Sequence, residues 1–88
     1  MLKGRDKINE FADQAELEIY FADGFDNAIL GIAQHFNNHS VLYDYEKCVG
    51  VLMERDGMSY DEADEFMQYN VVGAWVGEGT PTFLILKS

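Results

Sequence analysis

Between Arg5 and Ala15 the apolar residues Ile8, Phe11, Ala12 and Ala15 recur at spacings of three and four, the single stripe of a short helix. From Glu16 to Phe21 the period falls to two. Leu17, Ile19 and Phe21 then alternate with Glu16, Glu18 and Tyr20, which predicts a half-buried strand. Ala22-Asp23-Gly24 is turn chemistry, and the apolar run Ala28 to Ala33 predicts a central strand that Gly31 weakens. Asn37-Asn38-His39-Ser40 joins it to Val41-Leu42-Tyr43, the spacing of an antiparallel hairpin with a four-residue connection. Asp44 is placed to cap a helix buried along Cys48, Val51 and Leu52, and Gly57 is placed to end it. Ser59 and Glu62 then form a capping box. The helix it opens runs along Ala63, Phe66, Met67, Asn70, Val71 and Ala74, with Asp61, Asp64, Glu65 and Gln68 on its outer side. Pro81 makes the glycine-rich segment before it irregular, and Thr82 to Leu86 predicts a last strand.

The order of helix, three strands, two helices and strand points to an α+β fold. Its small, mostly antiparallel sheet has about four strands, with the helix pair packed on one face and the short helix at the N-terminus. The other face is then solvated or used in an interface. At 88 residues the chain is expected to form a single domain, residues 1–88, and 48% hydrophobic content is that of a folded protein. One cysteine, Cys48, makes no internal disulfide, and its place on an apolar stripe predicts a core thiol. No apolar run reaches the roughly 20 residues of a membrane helix, and no apolar segment near Met1 has the form of a signal peptide, so a soluble intracellular protein is expected.

Charge changes the picture. Sixteen acids against six bases give a net charge of −10 and a pI near 4.3. Direct binding to nucleic acid or anionic lipid is not expected, because both require a basic surface. No basic residue lies between Lys7 and Lys47, nor from Asp56 to Leu86. Helix caps and first turns account for Asp61, Glu62 and Asp64, but the remaining acids ask for a basic partner. Other chemistry is weaker. His35 and His39, four apart, make a metal half-site only on a helix, and the asparagines between them read as a turn. Asp23 and Asp26 flank a turn without the further ligands of a calcium loop. No glycine-rich phosphate loop occurs. The methionines pack, and Trp75 is expected in the core, with an interface as the second reading.

The segments FADGFDNAILGIAQHF (residues 21–36) and YDYEKCVGVLMERDGMSYDEADEFMQYNVVGAWVGEGTPTF (residues 43–83) resemble a family of small proteins encoded by bacteriophages and prophages. The elements ADGFDxAIxG and DGMSYxEAxEFxxxNVxGAxVGExTP carry the likeness. It implies phage origin and the host bacterial cytoplasm, and it brings no catalytic residues. With the charge, it favours a non-enzymatic, cofactor-free protein that binds and inhibits or redirects a basic host or anti-phage defence protein, an anti-CRISPR-type or nucleic-acid-mimicking inhibitor being one instance. The expected contact residues are the acids Glu16, Glu18, Asp61, Asp64, Glu65 and Glu78, with Tyr60 and Trp75 as aromatic anchors. The alternative is a non-catalytic structural or accessory phage protein acting as a homodimer through the uncovered sheet face. A metal-dependent hydrolase built on Asp23, Asp26 and His35 is the third class.

Overall fold

The computed structural model describes residues 4–88. Helix α1 (Gly4–Ala15) follows the predicted stripe: Ile8 and Ala12 are buried, while Phe11 lies at the rim. The chain then turns through Asp23-Gly24, where the Phe25 N–H donates to the Ala22 carbonyl at 3.3 Å, and passes a single 3-10 turn (Asp26–Ala28). Strands β1 (Ile29–His35) and β2 (Asn38–Asp44) pair antiparallel. Strand β3 (Thr82–Leu84) lies on the other side of β2 and runs parallel to it. A parallel return needs a crossover connection. It is supplied by α2 (Tyr45–Asp56), α3 (Tyr60–Phe66) and a π-helical turn over Met67–Val72.

The α+β class and the helix pair stand, but the sheet has three strands of mixed direction, not about four that are mostly antiparallel. The missing strand is the segment from Leu17 to Phe21. It is half-buried but irregular, and its one backbone link to the far end of the chain among the described residues is the Tyr20 N–H on the Gly79 carbonyl at 3.2 Å. Alternation records which side chains face inward and does not guarantee a ladder partner. The predicted four-residue connection is a two-residue turn, Phe36-Asn37, because β2 already begins at Asn38. A bulge at Leu30 shifts the register between Ile29 and Gly31, with Gly31 at φ 155°. The last strand stops at Leu84, and Ile85 and Leu86 are exposed.

Local signals on the helices are obeyed. The Asp44 carboxylate accepts from the Lys47 N–H at 3.3 Å, and Gly57 closes α2 at φ 68°. Both arms of the capping box form, Glu62 N–H to Ser59 Oγ at 3.2 Å and Ser59 N–H to Glu62 Oε1 at 2.9 Å. The helix after Ser59 does not run to Ala74 as one α-helix. From Met67 it widens into π geometry, which lets Val71 and Val72 both pack against the core where an α-helical stripe would have turned one away. That core joins Val41 and Tyr43 of β2 to Tyr45, Cys48, Val49 and Leu52 of α2, Ala63 of α3, and Met67. The Tyr43 hydroxyl, inside it, accepts from the Ala22 N–H at 2.7 Å, and the Tyr43 ring stacks on Phe83 at 5.5 Å. Cys48 is fully buried, and burial pushes its thiol up to about 12, so it packs as a hydrophobe.

Candidate protein-binding surface

Three segments meet at one end of the sheet. The first leaves α1 through a Schellman-type turn: the Leu17 N–H donates to the Ala12 carbonyl at 2.8 Å and the Glu16 N–H to Asp13 at 3.3 Å. That geometry puts Glu16 at φ 56°, the left-handed position where glycine is usual. The second segment is the hairpin tip, Asn37 to His39. The third is the turn Gly77-Glu78-Gly79, closed by the Thr80 N–H on the Gly77 carbonyl at 3.1 Å. The Thr80 hydroxyl tightens it, donating to the Gly77 carbonyl at 2.6 Å and accepting from the Val76 N–H at 2.9 Å. A Cβ on Gly79 would come within 2.3 Å of the Glu18 carbonyl oxygen, so only glycine lets the first and third segments touch.

Between them lies an open cleft of about 420 Å³ lined by Glu16, Glu18, Glu78, Tyr20 and His39. Three of the predicted contact acids thus line one cleft. None of the three has a basic side chain within 4.0 Å among the described residues, whereas Arg5 reaches Asp23 and Asp26, Arg55 reaches Asp56, and Lys87 reaches Asp44. The Tyr20 hydroxyl donates to Glu18 at 3.0 Å, and that bond raises the phenol's pKa above its ordinary 10.0. The His39 Nδ1 is buried in the lining of this cleft without a hydrogen-bond partner among the described residues. Trp75 departs from its expected place in the core: it is 74% exposed, three residues before Glu78. The π-turn ends at Val72, so Trp75 falls in irregular chain with no helical face to turn it inward.

The other predicted contacts form a second group on α3. Tyr60 is half exposed, and its hydroxyl donates to Glu46 at 3.0 Å, which raises its pKa. Asp61 sits in the first turn, open to solvent. Asp64 is not a free acid. Its carboxylate accepts from the buried Tyr45 hydroxyl, which itself accepts from Gln68 Nε2 at 3.1 Å. Glu65 lines a shallow groove with Met58, Phe66 and Tyr69. No hydrogen bond or ion pair among the described residues joins this group to the cleft.

Two exposed aromatics escaped the sequence reading, Phe36 at 83% and Tyr69 at 78%. Tyr69 had left a signal: it lies off the apolar stripe, between Gln68 and Asn70. Phe36 leaves none until the hairpin is known to turn on two residues. His35 and His39 do not form the helical pair their spacing allows. His39 stands opposite Gln34 and His35 opposite Asn38, so alternation sends them to opposite faces of the hairpin. Asp23 and Asp26 face the Arg5 guanidinium at 3.6 and 3.4 Å, which occupies the place a cation would take.

Comparison of the chain with protein-family models, curated proteins and solved structures found no match to any of them. No helix of the described residues is long and apolar enough to cross a membrane.

Proposed function

We propose that the chain is a small acidic interaction module, encoded by a phage, that binds a host or defence-system protein through that protein's basic surface and inhibits or redirects it. It works in the bacterial cytoplasm without catalysis or cofactor and does not bind nucleic acid itself. The observation that supports this reading is the cleft lined by Glu16, Glu18 and Glu78, three carboxylates without a described counter-charge, with the exposed Trp75 three residues before Glu78 in the chain. Carboxylates so grouped offer a basic groove what a run of phosphates would offer, and they speed its approach. Trp75 supplies the apolar anchor that charge alone lacks.

The test is an affinity capture from bacterial lysate with the wild-type protein and with a Glu16→Lys, Glu18→Lys, Glu78→Lys variant whose circular dichroism matches it. Wild type is expected to retain a nucleic-acid-handling or defence protein that salt elutes, and the variant to lose it. Identical captures by the two proteins, or no such protein in either, would sink the reading.

A further inference from the structure

Strand β1 is an outer strand. β2 pairs with it on one side only, and no backbone hydrogen bond from another described element reaches its other side. Alternate residues of such a strand turn their N–H and C=O groups away from the sheet. Proteins that must not pair through an edge usually place lysine, proline or another charge along it. The β1 sequence ILGIAQH carries none of these, and no Asp, Glu, Lys or Arg occurs anywhere from Asn27 to Tyr43. In a chain of net charge −10, this hairpin is the region that another acidic molecule approaches with least repulsion.

The edge also has a shape. The bulge at Leu30 leaves Gly31 to His35 as its regular length, centred on Ala33. Beside one end runs a groove of about 420 Å³ between α1 and β1, lined by Ile8, Phe11, Ile29, Leu30 and Ile32 together with Lys7 of α1. Phe11 and Leu30 are half exposed in it. Past the other end projects Phe36, held at φ 56°, a left-handed conformation that is an outlier for a bulky aromatic. When two such edges meet antiparallel about Ala33, Gly31 of each faces His35 of the other, and each Phe36 falls opposite the other's Leu30. Projection and groove then match reciprocally, as a two-fold contact requires. A basic partner finds no carboxylate on this edge, and a second copy finds its own complement.

We propose that the free edge of β1 joins two copies of this chain by antiparallel strand addition about Ala33, with Phe36 of each copy packed against Leu30 and Phe11 of the other. The contact is separate from the acidic cleft and does not depend on what that cleft binds. It differs from a dimer through the uncovered sheet face, because it forms main-chain hydrogen bonds along the strand edge.

Sedimentation of the full chain from micromolar to millimolar concentration is expected to rise from 10.0 kDa toward twice that mass, with the β1 amides exchanging more slowly as dimer forms. Leu30→Lys and Gln34→Lys, both at exposed positions, are expected to weaken the dimer at least tenfold. Directly opposed residues of an antiparallel pair bring their Cβ atoms to roughly 4.5–5.5 Å. Ala33→Cys should therefore oxidise to a covalent dimer, which buried Cys48 does not mimic. A monomer throughout, a dimer indifferent to both lysines, β1 amides that exchange alike at all concentrations, or no Ala33→Cys crosslink would each overturn the proposal. A strand from another protein at this edge would appear as the monomer result.

Discussion

Glu16 stands where a helix-ending turn asks for glycine, at φ 56°, and its carboxylate lines the cleft. A left-handed conformation costs an L-residue roughly 1–2 kcal/mol, and glycine returns part of that as lost chain entropy. Glu16→Gly is therefore expected to stabilise the protein by about 0.5–1 kcal/mol in urea unfolding while weakening capture of the partner. A variant less stable than wild type would mean that the glutamate side chain supports the fold. Asp44 has the opposite character. Nearly buried, it caps α2 and holds Lys87 at 2.6 Å, and the Lys87 contact, outweighing burial, keeps its carboxyl below the ordinary 3.8. Its stabilising effect is then whole above that value and falls away as pH drops through the folded-state pKa. Asp44→Asn, which can still cap, is expected to cost about 1 kcal/mol at neutral pH. That difference should shrink in acid; one that stayed constant down to pH 3 would show that the charge on Asp44 is irrelevant.

The elements that were legible in the sequence are those fixed by neighbours in the chain. α1, the Asp44 and Ser59 caps, the Gly57 stop and the burial of Cys48 all rest on side chains acting within one or two turns. What was not legible depends on distant partners. The segment from Leu17 to Phe21 has a strand's alternation, but its neighbour is the irregular turn at Gly79, which offers one hydrogen bond instead of a ladder. The π-turn arises because Val71 and Val72 both find core to cover, and the exposure of Trp75 follows from its ending. The acids of the cleft could be named in advance, but not their separation from those on α3, since Glu78 is more than sixty residues from Glu16 and meets it through Gly79. Gly79→Ala tests that junction. The added Cβ meets backbone at 2.3 Å, so the Glu16 to Tyr20 segment must move. A loss of about 1–3 kcal/mol is expected, together with amide shifts at Glu16 and Glu18. Unchanged shifts there would show that the cleft wall is held by something other than this contact.

Across the whole molecule, the acids without a described counter-charge act on one another as well as on a partner. The protein measures 40 × 29 × 26 Å, and the Debye length is about 30 Å at 0.01 M salt but about 8 Å at 0.15 M. At low salt each carboxylate therefore feels most of the others, and at physiological salt only its neighbours. A like-charged pair ~10 Å apart costs about 0.4 kcal/mol in water before screening, and folding brings the acids closer together than they lie in the unfolded chain. Raising salt across that range is expected to stabilise the fold by about 1 kcal/mol in urea unfolding. The same change should weaken capture of a basic partner, since salt screens that attraction equally. Stability and binding thus move in opposite directions with one variable, which separates this reading from a protein whose charge serves solubility alone. There, stability rises with salt and no binding follows it. A fold that gained nothing from salt would mean that the acids are too far apart to repel, and a cleft that concentrates negative charge would then have no basis.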